Sequence, residues 1–165
     1  LPASSAASDV YKRQLFTEAN FKGKWDLVFL GFASCPDMCP MTMQKMAKTA
    51  QILSQKEGLI EKINFVMISI DPDRDSPERV NQYARGFNKE FKGVSGNIKD
   101  IYQLSLNLTL PFTPVIDSKN TDYDMDHSMN LALIDPSGKY HGFFKTPYTP
   151  EMMAEALESV IKFSN

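Results

Sequence analysis

An apolar strand pattern runs directly into a pair of cysteines in the segment LVFLGFASCPDMCP, residues 27–40. Its apolar first part is typical of a strand buried on both faces, and a helical pattern begins at the second cysteine. A strand followed at once by a helix is typical of α/β proteins. Cys35 and Cys39 are four residues apart at the predicted helix start, so their thiols should lie about one turn apart on one helix face. The segment therefore predicts an α/β fold and a site of thiolate chemistry.

Two thiols placed in this way can share a soft metal ion or close a disulfide. The unpaired N–H groups of a first helical turn favour anions, so we expect at least one sulfur to ionise more easily than a free cysteine. The competing interpretation is structural, since free cysteine is often a small buried apolar residue. The spacing and the position at a helix start make that interpretation the weaker one. The chain has only these two cysteines, which are too few for a disulfide scaffold.

Strand and helix patterns alternate along the rest of the chain. Helices are predicted from the cysteines to about 57, at 77–91, at 97–106 and from 150 onward, and strands at 27–32, 63–70, 112–116, 131–134 and 140–145. The last two strands are joined by a turn sequence typical of a hairpin. We therefore expect an α/β domain with a thioredoxin-like fold, in which helices flank a central mixed β-sheet.

Length and composition limit the class of protein. The chain has 165 residues and a net charge of -2, which suits one domain and argues against nucleic acid as the main partner. No stretch approaches the ~20 apolar residues of a membrane span. Residues 1–14 are mostly small, polar and aperiodic, so we expect a disordered or non-native leader or linker there and one domain at 15–165.

A second polar motif follows the second predicted strand. It reads DPDRDSP, residues 71–77, and its Ser76 can cap a helix that has Pro77 in the first turn. Reactive groups of α/β sheets gather at the carboxyl ends of the strands, where both this loop and Cys35 are expected. The loop lacks the glycine and the bidentate glutamate of a calcium site. We expect Asp71, Asp73 and Asp75 to be solvated, with partner docking as a secondary interpretation.

Three motifs in order resemble the Sco/SenC family of copper-binding assembly proteins. They are CPDMCP at 35–40, DPDRDSP at 71–77 and DHS at 126–128. The resemblance implies a thioredoxin-like fold that binds one copper ion through Cys35, Cys39 and His127. It also implies a part in building the dinuclear copper centre of cytochrome c oxidase, by delivering copper or by keeping the target cysteines reduced.

Two thiolates and one imidazole suit Cu(I), and they leave a structural zinc ion one ligand short of a closed tetrahedron. An additional donor could accommodate Cu(II). Two contributions to the site stay open at this point: Met38 as a thioether donor, and Asp126 as a residue that orients His127. His141 is expected to be an ordinary histidine without a metal.

The leading interpretation is a copper metallochaperone, a binding and transfer protein. The alternative is a thiol-disulfide oxidoreductase that reduces the copper-ligand cysteines of its target, with Cys35 as the attacking thiolate and Cys39 as the resolving thiol. His127 separates these two functions, because disulfide exchange does not need a distant imidazole. A thiol peroxidase is less consistent with the sequence, since the motif has no separate basic residue to activate peroxide.

Partner and location follow from the resemblance. The expected partner is the copper-bearing subunit of cytochrome c oxidase, and another copper chaperone could act as the donor. The expected location is extracytoplasmic, in the bacterial periplasm, with the full-length protein tethered to the inner membrane by an N-terminal anchor that this sequence does not contain.

Overall fold

The computed structural model describes residues 21–115 and 123–164, which form a five-stranded mixed sheet with helices packed on it. The strands are, in chain order, β1 Trp25–Gly31, β2 Ile63–Ser69, β3 Lys92–Val94, β4 Leu131–Ile134 and β5 Tyr140–Phe144. Within the sheet they lie in the order β3-β2-β1-β4-β5. The α-helices are α1 Met38–Ser54, α2 Pro77–Phe87, α3 Ile98–Asn107 and α4 Pro150–Phe163, and a short 3-10 helix spans Ile60–Lys62. The predicted thioredoxin-like α/β fold is confirmed. Among the described residues, none of the helices has the length and hydropathy of a membrane span.

Strand β1 lies at the centre of the sheet, and every one of its residues is buried. It pairs in parallel with β2 and antiparallel with β4. Helix α1 packs against α4, while α2 packs against β2 and β3. The carboxyl ends of β1 and β2 and the amino end of β4 therefore meet at one edge of the sheet. The segments that carry Cys35, Asp71 and His127 start or end there.

The predicted helix starts are confirmed by their capping hydrogen bonds. The side chains of Ser76, Asn97 and Thr149 each accept a backbone N–H from the first turn of the helix that follows. The hairpin between β4 and β5 is also confirmed. Its turn is closed by the carboxylate of Asp135, which accepts the N–H groups of Ser137 and Lys139.

Several elements differ from the sequence predictions. Helix α1 ends at Ser54 instead of about 57, and α2 ends at Phe87 instead of 91. Residues 88–91, the predicted last turn of that helix, instead form a turn in which the Phe91 N–H donates to the Asn88 carbonyl at 2.9 Å. The short strand β3 follows this turn and was not predicted, because a strand of only three residues is too short to show a period. The predicted strand at 112–116 is wrong, since Phe112 forms only an isolated bridge to His127. Residue 116 and the predicted leader at 1–14 lie outside the described residues.

Asp26 is a buried carboxyl group at the start of β1, with 1% of its surface exposed. Its Oδ1 accepts a hydrogen bond from Asn64 Nδ2 at 2.9 Å, whereas its Oδ2 has no hydrogen-bond partner among the described residues. Burial raises the pKa of Asp26 from 3.8 to about 6, although Asn64 and Lys92 act in the opposite direction. At pH values between 3.8 and about 6, the folded protein therefore keeps a proton on Asp26 that the unfolded chain has already released.

We expect Asp26→Asn to stabilise the protein above about pH 7 by about 1–2 kcal/mol. The stability that Asp26 contributes falls as pH rises through the window from 3.8 to about 6, because the unfolded state ionises first. An amide does not ionise, but it still buries one unpaired polar group, which limits the gain. Urea unfolding of both proteins at about pH 4 and about pH 8 checks this. A gain of equal size at both pH values would contradict it.

Candidate metal centre

The two cysteines lie between the end of β1 and the first turn of α1. Cys35 belongs to the connecting loop and is half-buried, whereas Cys39 is fully buried in the helix. The Cys39 N–H donates a hydrogen bond to Cys35 Sγ at 3.4 Å, so an amide of the first helical turn points at the Cys35 sulfur. Both cysteines are free thiols in this structure. The predicted arrangement of two thiols at a helix start is present.

Cys39 is not the easily ionised sulfur that the sequence predicts. Burial raises the pKa of the Cys39 thiol above its usual value, and this effect exceeds that of a hydrogen bond with the Phe32 backbone, which lowers it. Cys35 and Asp75 raise that pKa further. A thiolate at this position needs a compensating positive charge, which a bound metal cation supplies.

His127 lies against the buried cysteine, although the two residues are 88 positions apart in sequence. The distance from His127 Nε2 to Cys39 Sγ is 3.7 Å. The other ring nitrogen, Nδ1, lies 3.1 Å from the Ser128 carbonyl oxygen, which can only accept a hydrogen bond, so the tautomer with its proton on Nδ1 satisfies this contact. Burial lowers the pKa of His127 and favours its neutral form. In that tautomer the lone pair of Nε2 faces the sulfur, as a metal ligand requires.

Backbone hydrogen bonds hold the segment that carries His127. The Thr113 N–H donates to the Asp126 carbonyl at 2.9 Å, and the Ser128 N–H donates to the Pro111 carbonyl at 3.0 Å. These two bonds flank the bridge between Phe112 and His127. Asp126 itself is exposed. The group that contacts His127 Nδ1 is the Ser128 carbonyl and not the Asp126 carboxylate.

The loop after β2 is not solvated as predicted, since Asp71 and Asp75 are buried and only Asp73 is exposed. Asp71 accepts hydrogen bonds from the Tyr123 hydroxyl at 2.6 Å and from the Arg74 guanidinium. That guanidinium stacks on the Tyr123 ring, 3.7 Å from its centroid, and donates to the Tyr123 carbonyl at 2.9 Å. The loop thus holds the chain that leads to His127.

Asp75 contacts the cysteine loop, which is the segment 32–37 between β1 and α1 that carries Cys35. Its Oδ2 accepts hydrogen bonds from the Ala33 N–H at 2.8 Å and from the Ser69 hydroxyl at 2.7 Å. The sequence places this loop beside Cys35, but it does not show that its carboxylates are buried. The only available signal was the position of several aspartates at the carboxyl end of a buried strand.

The remaining methionine and histidine candidates differ in how deeply they are buried and in where they lie. Met38, the first residue of α1, is 49% exposed, so its part in metal binding stays a prediction. Met43 and Met46 are fully buried core residues, as their helical spacing indicates. His141 packs edge-on against Trp25, with ring centroids 4.9 Å apart, at the other end of β1.

The donors fit a soft metal ion, although they are not yet gathered in this structure. Within residues 21–115 and 123–164, no three side chains of His, Cys, Asp or Glu lie close enough together to hold a metal ion. Cys39 and His127 are already in contact, and the sulfur of the half-buried Cys35 accepts the Cys39 N–H at 3.4 Å. Cys35 is the residue that would supply the third donor. Two thiolates and a neutral imidazole then suit Cu(I).

Known proteins resemble the chain over most of its length. The SCO1/SenC family model matches residues 11–162. Protein sco1 of Schizosaccharomyces pombe is 35% identical over 145 residues, which cover 87% of this chain and 54% of that protein. The copper-bound structure of yeast Sco1 has a TM-score of 0.80 and 28% identity, covering 89% of this chain and 81% of that one. Copper-bound ScoI of Arabidopsis thaliana has a TM-score of 0.79 and 26% identity, covering 90% of each chain.

Proposed function

Because the chain belongs to the SCO1/SenC family, we propose that it is a copper metallochaperone, which binds one copper ion through Cys35, Cys39 and His127. The observation that carries the proposal is the 3.7 Å contact between Cys39 Sγ and His127 Nε2. The copper in the related structures from yeast and Arabidopsis thaliana supports the choice of metal.

The state of these two groups favours metal binding over simple disulfide exchange. A buried thiol with a raised pKa is a poor nucleophile, but it becomes a thiolate when a metal cation replaces its proton. Disulfide exchange does not require an imidazole that turns its lone pair towards this sulfur, whereas a metal site with three ligands does. Both features have a use once Cu(I) lies between the two side chains.

Copper is the cargo in this proposal. Cys39 and His127 form the buried side of the site, and Cys35 forms the half-exposed side. A site with three donors can release its ion by ligand exchange with thiols of a receiving protein. We extend the proposal to the copper-bearing subunit of cytochrome c oxidase as receiver, in an extracytoplasmic compartment, as expected for the family.

We expect His127→Ala to weaken Cu(I) binding by about tenfold or more, because one of three ligands is lost. Formation of the Cys35–Cys39 disulfide should stay unchanged, since it needs only the two sulfurs. Competition with a Cu(I) chelator under reducing conditions measures the first quantity, and thiol titration after mild oxidation measures the second. His141→Ala is the matched control and should keep the wild-type affinity. Unchanged Cu(I) affinity in His127→Ala would refute the three-ligand assignment.

The second candidate function is the thiol-disulfide oxidoreductase. The observation in its favour is the half-exposed Cys35, a free thiol whose sulfur accepts the backbone N–H of the second free cysteine, Cys39. A strain that lacks the gene separates the two functions through its cytochrome c oxidase activity at low copper. Restoration by wild type but not by His127→Ala supports copper delivery. Full restoration by His127→Ala, with failure of Cys35→Ser, would replace copper delivery by thiol reduction.

A further inference from the structure

Asp75 is a fully buried carboxylate directly behind the cysteine loop, and it ligates no metal in the proposed site. We propose that Asp75 is a positioning residue, whose hydrogen bonds fix the backbone before Cys35 and so set the geometry of the metal centre. This inference rests on the proposed function for the identity of the metal.

One oxygen of Asp75 joins two separate parts of the fold. Its Oδ2 accepts the Ala33 N–H at 2.8 Å and the Ser69 hydroxyl at 2.7 Å. Ser69 is the last residue of β2, whereas Ala33 belongs to the loop that follows β1. The Ser69 hydroxyl oxygen also accepts the Asp71 N–H at 3.1 Å. The loop before Cys35 is therefore tied to the end of the neighbouring strand.

The other carboxylate oxygen of Asp75, Oδ1, is connected through Arg79 to a second residue of the loop, Ser34. Arg79 Nε lies 3.3 Å from Asp75 Oδ1, and the guanidinium of Arg79 also donates to the Ser34 hydroxyl at 3.1 Å. Both residues that precede Cys35 are thus connected to Asp75, Ala33 directly and Ser34 through Arg79. The Arg79 side chain is 53% exposed, so its ion pair contributes less than the buried hydrogen bonds.

Burial makes these connections hard to break. A buried carboxylate that loses its hydrogen bonds keeps the full cost of its desolvation. If the loop moved away, the Ala33 N–H would be left without its partner, and Asp75 Oδ2 would keep only the Ser69 hydroxyl. The Cys35 backbone is therefore held beside α1, where its sulfur accepts the Cys39 N–H. A metal centre benefits from such support, because ligands held in place in advance lose less entropy on binding.

Two substitutions at this position separate the hydrogen bonds from the charge. Asp75→Ala removes both, whereas Asp75→Asn keeps an oxygen that can accept from Ala33 and Ser69. We expect Asp75→Ala to lower Cu(I) affinity about 10- to 100-fold, and Asp75→Asn to lower it by less than about tenfold. Competition with a Cu(I) chelator measures both values.

A measurement without metal distinguishes positioning from general stability. The dithiol–disulfide equilibrium of Cys35 and Cys39 against dithiothreitol depends on how closely the folded protein holds the two sulfurs. In Asp75→Ala we expect the disulfide to be about tenfold easier to reduce, because the loop no longer holds Cys35. Asp26→Asn is the matched control, since Asp26 is an equally buried carboxyl on the central strand. It should change stability and leave Cu(I) affinity and this equilibrium at their wild-type values.

If Asp75→Ala does not fold, the substitution Arg79→Ala at an exposed residue tests the same inference. It removes the connection to Ser34 and should lower Cu(I) affinity about two- to fivefold. Arg85→Ala on the same helix is its control, because Arg85 donates to the Lys89 carbonyl instead.

Three results would overturn the inference. They are wild-type Cu(I) affinity and dithiol equilibrium in folded Asp75→Ala, wild-type Cu(I) affinity in Arg79→Ala, and an equal loss in Asp75→Asn and Asp75→Ala, which would assign the effect to charge. Failure of the proposed function is a different result, since wild-type protein would then bind no copper while the dithiol equilibrium could still respond to Asp75→Ala.

Discussion

Cys39→Ser is expected to abolish tight Cu(I) binding, with a loss of affinity of more than about 100-fold. Removing a residue that only hydrogen-bonds to a metal ligand costs less than this. The Cys39 sulfur is the fully buried donor of the proposed site, and it lies 3.7 Å from His127 Nε2. A serine hydroxyl keeps nearly the same shape, but it is a hard oxygen donor that Cu(I) binds poorly. The remaining thiolate and imidazole then leave the ion with two ligands.

Anaerobic competition with a Cu(I) chelator measures this loss. Met43→Leu is the matched control, because it removes a fully buried sulfur from the same helix without changing a proposed ligand. Thermal unfolding of the metal-free variants checks that each one folds, since Cys39→Ser also buries a hydroxyl group. Affinity within tenfold of wild type in folded Cys39→Ser would exclude Cys39 as a ligand.

Gly93→Ala is expected to cost about 3 kcal/mol of unfolding free energy or more, the upper range for overpacking. An added Cβ would lie 2.1 Å from the Val80 carbonyl oxygen and 2.7 Å from the Asn81 backbone nitrogen. Both atoms belong to the backbone of α2, which cannot rotate away as a side chain can. Either β3 or α2 must therefore shift, and the Gly93 N–H bond to Asn81 Oδ1 is strained or lost.

Urea unfolding measures this cost, with Gly142→Ala in β5 as the control. A Cβ at Gly142 would meet nothing within 4 Å, so the same substitution should change stability by less than about 1 kcal/mol. Equal stabilities of the two variants would show that β3 and α2 are not packed as closely as this structure has them.

Sequence reasoning was most successful where a pattern is local. Continuous apolar runs predicted β1 and β2, and hydroxyl side chains followed by proline predicted the starts of α2 and α4. The three-residue β3 has no period to detect, and its place is decided by pairing with β2. The error at Phe112 has a similar cause, because its pairing with His127 is a single bridge between distant segments.

The candidate site shows the same division. The cysteine pair could be predicted from its own spacing, whereas His127 required the family resemblance, since 88 residues separate it from Cys39. The burial of Asp75 was missed, because a charged loop after a strand is usually solvated. Only the folded chain brings the Ala33 N–H and the Ser69 hydroxyl to this carboxylate.

The distance in sequence between the proposed donors also couples copper to folding. Cys35 and Cys39 are neighbours in the unfolded chain as well, but His127 joins them only when β4 pairs with β1. An unfolded chain can therefore hold Cu(I) through two sulfurs, and the folded chain holds it through a third donor in addition. Copper stabilises the native state only by this difference, since binding to the unfolded state cancels the rest. The ion thus stabilises the pairing of β4 with β1 and adds little to the local structure around the cysteines.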